Sequence, residues 1–169
     1  MKEKIAYTFL ETPLCELTVA SSGRGLCLVG FGRSLERARA ALNGLLWGPT
    51  EWKESRSANQ GALEQLQGYF RGQQRPFRVA LDLRGTPFQL RAWKALQGIA
   101  YGERRTYRQL ARAAGSPQGF RAAGMACHSN RVAIVVPCHR VVGSNGSLTG
   151  FGGGVSLKGR LLAHEAGQP

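Results

Sequence analysis

The chain has 169 residues, with 23 Lys and Arg against 10 Asp and Glu and a formal net charge of +13. That length suits one domain or two small ones in contact, and no charge-free apolar run approaches the ~18 residues of a membrane span. The opening Met1-Lys2-Glu3-Lys4 lacks an apolar signal core, so a cytoplasmic protein (nucleoid-associated in a prokaryote) is expected, with no membrane partner.

Residues 5–10, 14–20 and 26–31 are β-rich runs separated by turn signals at Thr12-Pro13 and Ser21-Ser22-Gly23-Arg24-Gly25, which predicts an antiparallel meander. Ser34 is an N-cap for a helix over 35–46. Residues 47–58 read as polar and irregular, 60–70 as a helix carrying Leu63, Leu66 and Phe70, and 77–83 as a further strand. Thr86 and Pro87 open a helix with Phe88, Ala92, Trp93 and Leu96 on one face, ended by Ala100-Tyr101-Gly102. Thr106 and Gln109 form a capping box for a short helix through Ala114, stopped by Gly115. Ser116-Pro117 then starts another, to about Ala126. Two short helices across a glycine turn form a helix-turn-helix pattern, a weak signal strengthened by Arg108, Arg112 and Arg121. Residues 132–136 form an apolar run that must be buried and that leads into Pro137-Cys138-His139-Arg140. Ser144-Asn145-Gly146 is a hairpin-type turn, 150–154 a glycine loop, and 155–166 a last helix. The fold class is therefore α+β. Residues 1–85 form a small supporting N-terminal α/β domain with an antiparallel sheet. Residues 86–169 form a mainly helical C-terminal domain with the helix-turn-helix.

The charge is uneven between these halves. Residues 1–85 hold 12 basic and 8 acidic side chains, net +4, whereas residues 86–169 hold 11 and 2, net +9. Acid depletion in the second half points to a polyanion, with nucleic acid ahead of an anionic membrane. No Gly-Lys-Ser/Thr spacing supports a phosphate loop. The cysteines at 15, 27, 127 and 138 lack zinc-type spacing and read as free thiols, so no metal is expected.

Cys138 beside His139 is weak by itself, because neighbouring residues in extended chain point apart. A water could connect them. With Glu165 orienting His139 this makes a Cys–water–His–Glu relay, and nearby positive charge would lower the thiol pKa from ~8.5. On the residues alone, a buried structural cysteine is the simpler reading.

Pro137-Cys138-His139-Arg140-Val141-Val142, then Ser144-Asn145-Gly146, Gly153-Gly154 and Leu161-Leu162-Ala163-His164-Glu165, resemble the O6-alkylguanine-DNA alkyltransferase family. Upstream, Gly102-Glu103, Thr106-Tyr107-Arg108-Gln109-Leu110-Ala111 and Arg121-Ala122-Ala123-Gly124 match its motifs in order. The match is nearly continuous over 86–167 and only in outline before it.

The resemblance implies DNA repair by direct reversal. Cys138 takes an alkyl group irreversibly from O6 of guanine, or O4 of thymine, in double-stranded DNA. The protein would act once, as a monomer and without cofactor. It implies that His139 and Glu165 activate the thiol, that Asn130 pins the turn carrying it, and that Tyr107 hydrogen-bonds the departing guanine and helps rotate the nucleotide. It further implies that Arg121 fills the vacated stack, with Ala122, Gly124, Arg108 and Arg112 along a minor-groove interface. Pro137, Val141, Phe151 and Lys158 would shape the pocket. Extraction of the base is required physically, since O6 inside a duplex cannot meet a buried sulfur. Two positions depart from the family pattern: Arg131 follows Asn130 where proline is common, and Phe151 replaces a common tyrosine. The alternative function is a lesion sensor or DNA-binding regulator of the same fold without chemistry. A thiol hydrolase is a third class, which would turn over repeatedly.

Overall fold

The computed structural model describes residues 2–45 and 48–168. Its order is β1 (Glu3–Glu11), β2 (Glu16–Ser22), β3 (Gly25–Phe31), α1 (Leu35–Leu42), β4 (Thr50–Glu54), α2 (Gln60–Phe70), α3 (Pro87–Gln97), β5 (Arg105–Thr106), α4 (Tyr107–Ala113), α5 (Phe120–His128), β6 (Val141–Val142) and α6 (Val155–Glu165). Single 3-10 turns at Ser57–Asn59 and Cys138–Arg140 complete it.

The meander forms as the alternation predicts, β1 with β2 and β2 with β3, both antiparallel. Four differences from the sequence-based expectation have identifiable causes. Within 47–58, whose first residue lies outside the described residues, β4 pairs in parallel with β1. As an edge strand it needs few apolar side chains, and Trp52 packs its ring near Tyr7 with centroids 6.2 Å apart. Residues 77–83 run extended but make only one bridge, Leu81 to Leu26. That close approach requires Gly25, since a Cβ there would lie 2.5 Å from the Ala80 carbonyl oxygen. Helix α1 stops at Leu42 and Gly44 follows at φ 75°; the expected end at Leu46 lies outside the described residues. Helix α5 starts at Phe120 rather than Ser116, because residues 116–119 close a separate turn through Gly119 N–H to the Ser116 carbonyl at 2.8 Å.

Smaller departures follow the same logic. Helix α3 ends at Gln97, with Gly98 as its C-cap. Ser144–Gly146 does turn, with Gly146 at φ 81°, but no hairpin follows. Val141–Val142 pair instead in parallel with Arg105–Thr106. The predicted capping box of Thr106 with Gln109 forms, and the N-cap Thr86 proves to be part of a second one, with Gln89.

One apolar core unites Leu17, Val19 and Val29 of the sheet with Leu63 and Leu66 of α2, Trp93 and Leu96 of α3, Leu110 of α4 and Leu161 of α6. The sheet also holds the segment leading to Cys138 directly. Val29 N–H donates to the Arg131 carbonyl at 2.9 Å, and Ala133 N–H to the Val29 carbonyl at 3.1 Å. Beyond this anchor the chain turns twice within five residues. Val135 N–H donates to the Ala133 carbonyl at 2.8 Å across Ile134, which has φ 71°. Cys138 N–H donates to the Val136 carbonyl at 2.9 Å across Pro137, at φ −84° and ψ 66°. These are γ-turns, and a positive φ at a buried β-branched residue carries about 1–3 kcal/mol of strain that the surrounding core must hold.

Candidate active site

Cys138 sits at the N-terminal end of the 3-10 turn, buried, with Asn130 on its sulfur. Asn130 Nδ2 donates to the Val136 carbonyl at 2.7 Å and to Cys138 Sγ at 3.2 Å, while Asn130 Oδ1 accepts from Val132 N–H at 3.0 Å. One side chain thus closes the 130–138 loop and touches the thiol. Burial pushes the Cys138 pKa up against the lowering effects of the Asn130 hydrogen bond and the Lys158 charge. The sequence-based expectation of a lowered pKa is overturned, because desolvation outweighs the nearby donors. Cys138 rests as a thiol.

His139 and Glu165 come together as expected, His139 Nε2 lying 2.6 Å from Glu165 Oε1 with both side chains inaccessible. Burial alone would raise the Glu165 pKa, but hydrogen bonds from His139 and Arg140 hold it at about 2. An ionised carboxylate only accepts, so Nε2 carries the proton. Nδ1 is then the bare nitrogen; it is buried and has no hydrogen-bond partner among the described residues. Burial lowers the His139 pKa, helped by the charges of Arg140 and Lys158. The resting imidazole is neutral, with its free lone pair on the atom a base would use.

Three members of this network had no assigned role in the sequence reading. Arg140 donates from Nε to both Glu165 oxygens at 3.1 and 2.9 Å, and from Nη2 to Oε1 at 3.0 Å. Its Nη1 donates to the Ile99 carbonyl at 2.6 Å. Tyr69 of α2 donates its hydroxyl to Glu165 Oε1 at 2.8 Å. Gly102 N–H donates to Glu165 Oε2 at 3.1 Å. The Arg140 charge balances the carboxylate, which is what permits a buried ion here. The arginine was visible beside His139, whereas Tyr69 stood 70 residues away without a motif to mark it.

On the other flank, Lys158 is fully buried, and its Nζ donates to the Thr149 carbonyl at 3.1 Å. Tyr107, half-buried, donates its hydroxyl to the same carbonyl at 3.0 Å. Together they tether the start of the glycine loop. Phe151 in that loop packs on Phe31 of β3, ring centroids 5.3 Å apart. Cys138, Asn130, Cys127, Phe31 and Phe151 line a cavity of about 210 Å³. Val141 is buried in β6, and Pro137 is buried in the turn before Cys138. Among the described residues no three His, Cys, Asp or Glu side chains converge as a metal site, and no helix is long and apolar enough to cross a membrane.

Arg108, Arg112, Arg121 and Ala122 do not join this cluster; all four are exposed on α4 and α5. Gly124 faces Tyr107, and a Cβ there would lie 3.9 Å from its ring. Arg108 and Arg121 flank Phe120, with their guanidinium carbons 5.2 and 5.9 Å from its centroid. Phe120 and Met125, 39% and 64% exposed, add apolar surface to the same face. Phe120 falls directly before Arg121 in a helix-start position, where periodicity did not single it out.

Comparison with known proteins places the sequence and the fold. The family model for the 6-O-methylguanine DNA methyltransferase DNA-binding domain matches residues 87–167, and that for its ribonuclease-like domain matches 5–83. A methylated-DNA–protein-cysteine methyltransferase of Mycobacterium bovis is 44% identical over 161 residues, covering 95% of this chain and 92% of that protein. The crystal structure of Mycobacterium tuberculosis O6-methylguanine methyltransferase superposes with a TM-score of 0.83 at 40% identity, over 98% of this chain and 94% of that one. The structure of that organism's OGT in complex with DNA gives 0.80 at 41% identity, over 98% and 95%. The chain belongs to the 6-O-methylguanine DNA methyltransferase family.

Proposed function

We propose that this protein repairs alkylated double-stranded DNA by moving an alkyl group, methyl above all, from O6 of guanine to Cys138 Sγ, once per molecule. O4-alkylthymine is the secondary substrate. The observation that carries the reading is the buried His139–Glu165 pair, 2.6 Å apart beside Cys138, with Nδ1 left as the free base. A single water bridges Nδ1 to the thiol in this proposal. As the substrate carbon approaches, the thiol proton passes through that water to Nδ1. The S–C bond then forms as the C–O bond breaks. The imidazolium is stabilised by Glu165, and the guanine leaves with its oxygen charge met by a proton or a hydrogen bond from Tyr107, whose hydroxyl exchanges Thr149 for the base. Because Cys138 rests as a thiol, its nucleophilicity is switched on only when the relay is engaged. The product thioether has no leaving tendency toward water, so no second turnover follows. S-adenosylmethionine has no part in this balance.

The exposed face of α4 and α5 serves as a helix-turn-helix that docks in the minor groove. Arg121 occupies the stack vacated by the flipped nucleotide, and Arg108 and Arg112 meet phosphates. Residues 86–169 act as the reactive and DNA-binding domain, with residues 1–85 as the domain that supports it. A cytoplasmic monomer suffices for this chemistry, since no step calls on a second copy.

The test is intact mass after mixing with a short duplex carrying one O6-methylguanine, followed by peptide mapping. One methyl group on Cys138, stopping at one per molecule, is expected, and Cys138→Ala should abolish it while keeping DNA affinity. Lesion binding without mass gain would mean a sensor, and repeated turnover on a simple ester would mean a hydrolase.

A further inference from the structure

We propose that Tyr69 is a positioning residue for the transfer reaction: from α2 it fixes the Glu165 carboxylate and, through it, sets the orientation and basicity of His139. The inference rests on the alkyl-transfer reading above but concerns a residue outside the 87–167 segment matched by the DNA-binding family model.

Tyr69 places its hydroxyl 2.8 Å from Glu165 Oε1, the oxygen that His139 Nε2 approaches to 2.6 Å. The hydroxyl also lies 3.5 Å from Nε2 itself. The ring is buried, edge-on to Tyr101 at 5.7 Å and to His139 at 6.4 Å. A packing role alone would be filled by phenylalanine, as the adjacent Phe70 illustrates. The main chain adds a second tie, since the Tyr69 carbonyl lies 2.9 Å from His164 Nε2. One residue of α2 thus holds two consecutive residues of α6, which fixes how the last turn of α6 aims its carboxylate.

The electrostatic consequence has a definite sign. Burial keeps the phenol neutral well past its ordinary range, so it remains a donor at any working pH. A donor on Oε1 draws charge from the oxygen that polarises His139, making the imidazole less basic than Glu165 alone would make it. The other groups around the pair are Arg140 and Cys138 on the 3-10 turn, Tyr101 and Gly102 N–H between α3 and β5, and Lys158 and His164 on α6. Removing one phenolic oxygen alters none of these.

The experiment is 15N NMR of the histidine side chains in the full-length protein, with His139 assigned by substituting His128 and His164 in turn. Tyr69→Phe should raise the His139 titration midpoint by up to about one unit, the size of a hydrogen bond to a charged group shared between two partners. The acid limb of the pH–rate profile for transfer should move up with it, and DNA affinity should not change. Site-specific 3-fluorotyrosine at position 69, a stronger donor of nearly the same shape, should move both midpoints down, and it carries the test if the phenylalanine variant does not fold. Midpoints unmoved in either protein, or moved the same way in both, would overturn the role. If the NMR midpoints shift in opposite directions but no methyl group reaches Cys138, the transfer reading fails and the tie to His139 stands.

Discussion

Two arginine-containing regions of the molecule use the same residue type to opposite ends. Around Glu165, Arg140 is buried, hydrogen-bonded through all three guanidinium nitrogens and charge-neutralised. Across α4 and α5, Arg108, Arg112 and Arg121 are exposed, and among the described residues Arg108 and Arg121 stack on Phe120. The buried arginine locks a carboxylate in its ionised form, which fixes the tautomer of His139. The exposed ones leave their charge available to a polyanion. A net charge of +9 on residues 86–169 therefore does not describe one surface: part of it is internal machinery, and only the remainder can face DNA.

The largest effect expected from breaking this contrast is Glu165→Gln. It keeps the shape but strands Arg140 without a counter-charge and replaces the anionic acceptor of His139 by a neutral amide. Breaking a buried pair in this way costs about 3–5 kcal/mol, or about 10 °C in a protein of this size, readable by thermal unfolding. Transfer should fall about 100-fold or more in the same variant. The pH dependence sharpens the attribution. Glu165 is held at about 2 against an ordinary value of 4.5, so the unfolded chain takes up the proton first as pH falls. Its stabilising contribution is full above about pH 4.5 and drains away toward pH 2. The stability gap between wild type and Glu165→Gln should close over that window. His139, held below its ordinary 6.5 chiefly by burial, adds a separate loss beginning as pH falls through that value.

The next effect lies on the exposed side. Arg121→Ala should leave the fold intact and slow transfer from duplex DNA about 10- to 100-fold, since the filled stack offsets a few kcal/mol of unstacking. Transfer from a single-stranded oligonucleotide, where no stack needs filling, should change far less. Equal losses on both substrates would place Arg121 in general binding rather than in extrusion.

How much of this was legible in the sequence follows the same division. The N-cap at Thr86, the capping box at Thr106, the helix over 60–70 and the meander are set by local chemistry, so they could be read in order. The buried cluster was legible because Asn130, Cys138, His139 and Glu165 sit in motifs at family spacing. What stayed hidden depends on long-range pairing or on burial. β4 is stabilised by β1 rather than by its own pattern, and residues 77–83 alternate like a strand but have just one residue of β3 to pair with. The direction of the Cys138 shift was misread because charge can be counted along a chain, whereas desolvation appears only once the core closes. Tyr69 is the sharpest example: nothing adjacent to it distinguishes a core aromatic from one whose hydroxyl ends on the buried Glu165 carboxylate.

The smallest effect is also the most specific to the exposed arginines. If Arg108 and Arg112 each neutralise one phosphate, replacing either by alanine should reduce the slope of log affinity against log salt by about 0.9, with little change in lesion preference or in transfer once bound. Arg108 also stacks on Phe120, 5.2 Å from its centroid, so Arg108→Ala removes one of the two guanidinium groups over that ring, leaving Arg121, while Arg112→Ala removes neither. Comparing the two isolates charge from stacking. Equal changes in slope with a larger affinity loss for Arg108→Ala would assign Phe120 a packing contact at the DNA interface. Identical behaviour would leave the face purely electrostatic, and an unchanged slope in both would remove α4 from the interface altogether.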